Sequence, residues 1–261
     1  MSDSWASGNT YERFMGRWST LIARGFLEWL AAPSNCRWLD VGCGTGSLTR
    51  QILEFNQPMQ ISAVDSSADF ISHARQAITD PSVRFEVGDA SALNLDDNMV
   101  DVVVSGLMLN FVPKPRQAIR EMLRVARPGG SIGIFLWDYA GGMEMLRYFW
   151  DAAVDLDPTA EQFDEGIRFP LCGKGQLDSL AREAGLEQIE ATAIEVPTVF
   201  QNFDDYWSPF LGKVGPAPSY AMSLDERERQ MLRKQLRQSL PIDENASIPL
   251  TARAWGVKGL A

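Results

Sequence analysis

The stretch CRWLDVGCGTGSLTRQIL, residues 36–53, decides the fold. An apolar run leads into Gly42, Gly44 and Gly46, and an amphipathic run follows. That order reads as a buried strand, a tight loop and a helix. Glycines at a strand-to-helix turn let the backbone approach a ligand closely and aim amide groups at it. The spacing is G-x-G-x-G. It omits the later glycine of the dinucleotide fingerprint G-x-G-x-x-G and the Lys-Ser/Thr of a phosphate-binding loop.

Outward from this stretch, apolar periodicity alternates between two kinds of element. YERFMGRWSTLIARGFLEWLA reads as a helix, with Phe14, Trp18, Leu21, Ile22 and Phe26 on one face and Pro33 beyond its end. QISAVD, VRFEVGD, VDVVVSG and SIGIFLW read as strands, and SADFISHARQAI as a helix between the first two of them. PRQAIREMLRVARPGG reads as a helix opened by Pro115 and closed by Pro128-Gly129-Gly130. Strands alternating with helices predict a doubly wound α/β fold. Further on, GQLDSLAREAGL reads as a helix stopped by Gly185, and QIEATAIEVPTVF and IPLTARAWGVKGLA as two late strands. Between those strands, residues 199–246 form an aromatic- and proline-containing insertion, read as a helical lid. Ser223 and Glu226 are spaced to open its last helix as a capping box.

The 261 residues are 45% hydrophobic, enough for one sizeable core, so a single domain with insertions is expected. The formal net charge of -10 disfavours nucleic acid as a partner, because such binding rests on Lys and Arg neutralising phosphates. A small molecule is the expected partner. Cys36, Cys43 and Cys172 form no C-x-x-C pair and have no nearby histidine, so neither a disulfide framework nor a metal site is expected. The first residues lack a signal-peptide pattern and no apolar run is long enough to span a bilayer; a soluble, cytoplasmic protein is expected.

Two acids follow the glycine loop at strand ends. Asp65 closes QISAVD, where a carboxylate can accept both ribose hydroxyls of a nucleoside. Asp89 closes VRFEVGD, where a second acceptor can meet an adenine amino group. Each is equally a turn or cap residue when taken alone.

LDVGCGTGSLT, AVDSS, VGDASAL, VDVVVSGLMLNFV and VARPGGSIGIF, in that order over residues 36–137, resemble the successive motifs of class I S-adenosylmethionine-dependent methyltransferases, in particular the type 11 group that includes ubiquinone- and menaquinone-biosynthesis enzymes. The resemblance implies a Rossmann-like seven-stranded sheet with its last strand antiparallel and a cofactor-binding core over about 36–138. It also implies an amino-terminal helix, about 10–32, that closes over the cofactor. By position, Gly42, Cys43, Gly44 and Gly46 would frame the methionine part of S-adenosylmethionine, with Asp40 below the loop. Asp65 would hold the ribose, Ser66 would lie against the adenine, and Asp89 with Ala90 would meet its edge. Ser105 and Gly106 would approach the methionine amino group and the sulfur, and Tyr11 and Arg17 would reach the carboxylate. S-adenosylhomocysteine is then the product.

A sulfonium activates its own methyl group, so alignment and exclusion of water are the main demands on the protein. Many relatives carry histidine after the fourth strand; here LMLNFV offers Asn110 and Phe111, and the single histidine, His73, falls inside a helix. Tyr11, Asn110, Asp138 and Tyr139 remain as candidates for positioning the acceptor. Aromatic residues at 149, 150, 203, 206, 207 and 210 either roof an apolar acceptor or pack the lid, and Arg147 and Arg168 either meet an acidic substrate or are solvated. The favoured function is methyl transfer to a small, partly apolar acceptor. A noncatalytic S-adenosylmethionine-binding or regulatory protein is the alternative, and a nicotinamide oxidoreductase a weaker one.

Overall fold

The computed structural model of the chain describes residues 16–212 and 215–261. Seven strands, β1 Arg37–Val41, β2 Gln60–Asp65, β3 Val83–Val87, β4 Val100–Gly106, β5 Ala126–Trp137, β6 Glu187–Phe200 and β7 Ile248–Leu260, form one sheet in the order β3-β2-β1-β4-β5-β7-β6. The first five pair in parallel. β7 runs against β5: Gly129 N donates to Ala261 O and Asp138 N to Arg253 O, both at 2.9 Å, so the register falls along one strand as it rises along the other. The doubly wound fold with an antiparallel last strand is therefore present. The longer helices are α1 Arg17–Leu30, α2 Ser47–Phe55, α3 Ala68–Ala77, α4 Pro115–Val125, α5 Glu144–Leu156, α6 Gln176–Ala184, α7 Pro216–Ser223 and α8 Glu226–Ser239. None of the described helices is long and apolar enough to cross a membrane.

The chain divides into two compact units, one of residues 19–136, 174–194 and 254–261, the other of the described residues up to Trp18 with 137–173 and 195–253. In the first, β4 is buried along almost its whole length, as expected of a parallel strand covered on both faces. Ile22 and Phe26 of α1 are fully buried, and the Phe26 ring packs on Phe135 at 4.6 Å between centroids. A Cβ at Gly133 would lie 2.6 Å from the Phe26 ring, so the helix sits where glycine lets it approach the strand. Leu21, expected on the same face, is 40% exposed. The buried positions 18, 22 and 26 are spaced by four, which leaves Leu21 at the margin of the stripe.

A second difference concerns the end of α4. The helix stops at Val125 rather than at Pro128-Gly129-Gly130, and those residues already belong to β5. Val100 pairs with Ala126 but Val102 with Ser131, so the ARPGG segment is absorbed as an irregularity in the ladder. Gly129 has φ +73°, a conformation a glycine takes without strain.

The second unit is built on an aromatic core. Phe149, Trp150, Phe203, Tyr206, Trp207 and Phe210 are all buried, and Phe149 stacks on Phe210 at 4.5 Å. Tyr206 Oη donates to the Met145 carbonyl at 2.9 Å. The aromatics of the 199–210 segment thus pack against α5. The capping box of α8 is set by Asp225 and Glu228, not by Ser223 and Glu226: the Asp225 carboxylate accepts Glu228 N at 2.8 Å, and Glu228 accepts Asp225 N at 2.9 Å. Ser223 instead donates to the Tyr220 carbonyl at 2.7 Å, in the last turn of α7. Leu232 and Leu236 are the buried residues of α8, so its charged run is an outward face.

Two acids lie deep in this unit. Asp164 pairs through both carboxylate oxygens with Arg147, which therefore has a partner within the chain. Glu165 accepts the Trp150 indole N–H and the Ala217 backbone N–H. Burial pushes its carboxyl up to about 7, and the nearby Asp164 charge adds to the rise.

Tyr206→Phe removes a buried hydroxyl and its hydrogen bond to the Met145 carbonyl, so it should destabilise the fold by about 1 kcal/mol, measured by denaturant unfolding. Because the folded-state pKa of Glu165 is raised, its contribution to stability is fully present below the ordinary value of 4.5 and is lost as the pH rises through about 7. Glu165→Gln cannot ionise. Its melting temperature relative to the parent should rise between about pH 5 and pH 8, and a pH-independent difference would refute this assignment.

Candidate cofactor site

The glycine loop joins the end of β1 to the start of α2. Gly42, Gly44 and Gly46 all have positive φ, at +77°, +54° and +89°. They differ in what surrounds them. A Cβ at Gly42 would meet the Met108 side chain at 2.3 Å and one at Gly46 would meet Ile78 at 2.8 Å, whereas none of the described residues lies within 4 Å of the corresponding point at Gly44. Gly44 therefore faces open space at the middle of the loop. Cys43, between them, is buried, and burial followed by the charges of Asp40 and Asp65 pushes its thiol well above the ordinary range.

Asp40 is fully buried beneath the loop, and Thr49 of α2 donates to its Oδ2 at 2.7 Å. Its Oδ1 is buried without a hydrogen-bond partner among the described residues. Desolvation pushes this carboxyl up to about 7, with the Thr49 hydroxyl opposing and Asp65 reinforcing the rise. Sequence reasoning missed Thr49; the signal was a hydroxyl residue in the first turn after the last loop glycine.

Asp65, at the end of β2, ties two backbones together. Its Oδ2 accepts Gly44 N at 2.9 Å and its Oδ1 accepts Ser67 N at 2.8 Å, at the N-cap of α3. A carboxylate has about four lone-pair sites, so Asp65 keeps acceptor capacity on both oxygens. Ser66 is exposed beside it. Asp89 lies just past β3, exposed, with Oδ1 accepting the backbone N–H and the hydroxyl of Ser91, each at 2.8 Å; these bonds hold its carboxyl below the ordinary range. Ala90 follows, half-buried.

At the exit of β4, Ser105 is fully buried and its Oγ has no hydrogen-bond partner among the described residues. A Cβ at Gly106 would lie 2.5 Å from the Phe135 ring. Leu107 turns the chain with φ +59°, and Leu109–Phe111 forms a short 3-10 turn. Within it the Asn110 side-chain nitrogen is buried and has no hydrogen-bond partner among the described residues. His73 sits half-buried on α3.

The remaining candidates belong to the second unit or lie outside the described residues. Tyr11 is outside them. The Arg17 guanidinium pairs with Asp205 at 3.1 Å and lies 4.3 Å from the Trp18 ring centroid and 4.7 Å from that of Phe200. Asp138 is buried, accepts Gly141 N at 3.0 Å and pairs with Arg253 at 3.2 Å. Tyr139 is buried with its ring 5.7 Å from that of Phe169. Among the described residues, no group of three His, Cys, Asp or Glu side chains is placed to hold a metal ion.

Residues 39–134 match the family described as methyltransferase domain. An uncharacterized methyltransferase of Mycobacterium tuberculosis is 36% identical over 112 residues, covering 43% of this chain and 44% of that protein. The chain spans about half the length of the curated relatives it matches. Among solved structures, phosphoethanolamine N-methyltransferase 2 of Haemonchus contortus in complex with S-adenosyl-L-methionine superposes with a TM-score of 0.59 at 16% identity, over 97% of this chain and 56% of that one. A [4+2]-cyclase superposes with a TM-score of 0.56 at 20% identity, over 99% and 86%. At these identities the structural likenesses speak for the fold. The ordered loop and strand-end residues, from Asp40 to Ser105, lie in the segment that matches the methyltransferase-domain family, and over that segment the chain is similar to methyltransferases.

Proposed function

We propose that the chain binds S-adenosylmethionine along the ends of β1, β2, β3 and β4 and transfers its methyl group to a small, partly apolar acceptor. The observation that carries this reading is the pairing of Asp65 with Gly44: a carboxylate with acceptor capacity to spare is bonded to the one loop glycine that faces open space. Asp65 accepts the ribose hydroxyls, and Asp89 and Ala90 meet the adenine edge. Ser66 lies against the adenine ring. Gly42, Cys43, Gly44 and Gly46 present backbone to the methionine part. The buried orphan atoms Asp40 Oδ1 and Ser105 Oγ support the same fit, because a buried polar atom without a partner marks a place that a ligand or ordered water completes.

The bound cofactor supplies an electrophilic methyl group on a sulfonium. The chain's residues then have to hold the acceptor in line and keep water out. Asn110, at the exit of β4, has a buried N–H donor left over and is the proposed contact for an acceptor oxygen; Tyr11, Asp138 and Tyr139 are further candidates for acceptor positioning. No histidine stands at the β4 exit. The reading therefore favours an acceptor that reaches the site with its nucleophilic atom already unprotonated. The alternative reading is a noncatalytic S-adenosylmethionine-binding or regulatory protein, since a fold does not fix its chemistry.

S-adenosylhomocysteine should bind the purified chain and raise its melting temperature, while NAD and ATP should not, because a ligand stabilises only what the native state holds. Incubation with S-adenosylmethionine and a panel of small metabolites should then form S-adenosylhomocysteine; tight binding with no turnover across the panel would favour the second reading. Asp65→Ala should weaken S-adenosylhomocysteine binding by about 1.5–3 kcal/mol, roughly ten- to hundredfold by titration calorimetry, by removing a charged acceptor. Unchanged affinity in the folded variant would remove Asp65 from the site.

A further inference from the structure

Gly42 is enclosed from two sides by elements of the same unit. On one side its N–H and that of Cys43 both bond to the Val64 carbonyl of β2, at 2.7 and 3.0 Å. On the other lies Met108. A Cβ built at Gly42 would stand 2.3 Å from Met108 Cγ, 2.7 Å from its Cβ and 2.8 Å from its Cε, so the whole methionine side chain is laid along the glycine. Gly44, two residues on, has no such neighbour. The loop is therefore braced at one glycine and open at the next.

The residues that deliver Met108 are held in a costly conformation. Leu107 has φ +59°, a left-handed conformation that crowds the Cβ of any residue other than glycine. Such conformations persist where the surroundings over-determine them. Here Leu107 N donates to the Phe135 carbonyl at 2.8 Å, which pins the turn to β5, and Phe111 N donates to the Met108 carbonyl at 2.9 Å, which closes the next turn. A relaxed β4 exit would carry the residue after Leu107 in another direction.

We infer that Met108 is a positioning residue for the cofactor loop: its side chain, delivered by the left-handed turn at Leu107, braces Gly42 against β2 and so holds the Gly44 amide region in the shape that receives the ligand. This rests on the reading of the loop as the S-adenosylmethionine site. It assigns a role in ligand affinity to a side chain on the β4 exit turn that a ligand at Gly44 need not touch. The presence of glycine at 42 then has a cause within the fold, because a side chain there would displace Met108.

Three proteins test it, each titrated with S-adenosylhomocysteine and each melted without ligand: the parent, Met108→Ala and Met108→Leu. Met108→Ala should raise the dissociation constant by about tenfold, while Met108→Leu, which keeps an apolar side chain of similar volume over the glycine, should stay within about threefold of the parent. A purely structural role would lower the melting temperature of both without this split in affinity. Amide hydrogen exchange of the ligand-free proteins gives a second reading that needs no ligand: the Gly42 and Cys43 amides should exchange faster in Met108→Ala than in the parent, and Met108→Leu should restore them. Equal affinity in Met108→Ala and the parent, or unchanged exchange at both amides, would overturn the inference. If the parent itself fails to bind S-adenosylhomocysteine, the functional reading falls, and faster exchange at Gly42 and Cys43 in Met108→Ala would still uphold the brace.

Discussion

The Asp65 carboxylate is the interaction on which the first unit depends. One oxygen takes the Gly44 amide and the other takes the Ser67 amide, so a single side chain fixes the shape of the glycine loop and the entry to α3. Hydrogen bonds to an ionised acceptor are about twice as strong as neutral ones. Three glycines at alternate positions, 42, 44 and 46, all at positive φ, would be a mobile segment without such a tether. Asp40 plays the complementary part from below. Burial disfavours its charge, so the loop rests on a buried, hydrogen-bonded acid and is tied by one that is half exposed.

Much of this was legible in the order of residues. Period and punctuation locate each parallel strand, because a strand buried on both faces is a continuous apolar run and a strand-end acid or glycine interrupts it. Asp65 and Asp89 stand out for that reason. What was not legible depends on partners distant in the chain. The end of α4 is set by a ladder shift opposite Val100, and nothing in ARPGG alone distinguishes a helix stop from a strand start. The capping box lies two residues later than the spacing of Ser223 and Glu226 suggests, since an aspartate at 225 offers the same device with a stronger acceptor. The contacts of Met108 with Gly42 and of Arg17 with Asp205 have no local signature at all.

The second unit shows how a strongly acidic chain disposes of buried charge. Asp164 receives both arms of Arg147, and Glu165 receives an indole and a backbone donor instead of a cation. The first acid is neutralised by pairing and the second by burial that favours its protonated form. Arg253, between Asp138 and Glu195, repeats the paired solution at the start of the crossover that follows β5. Aromatic side chains that read as a possible roof for an acceptor are instead the material of this unit's core.

The place of β7 in the sheet has a consequence for how the chain folds. Among the described residues β6 has no neighbour in the sheet other than β7, yet β7 follows it in the chain and must enter between β6 and β5. Everything from α5 to α8 separates the two strands that flank the gap or must be threaded past before it is filled. Until then β5 and β6 each present an unpaired edge, and non-local pairing of this kind is slow and exposes the chain to association with others of its kind. The five parallel strands that carry the glycine loop need no such late arrival, so the order of synthesis favours a nucleus that already contains the loop and a closure step that belongs to the far side of the sheet.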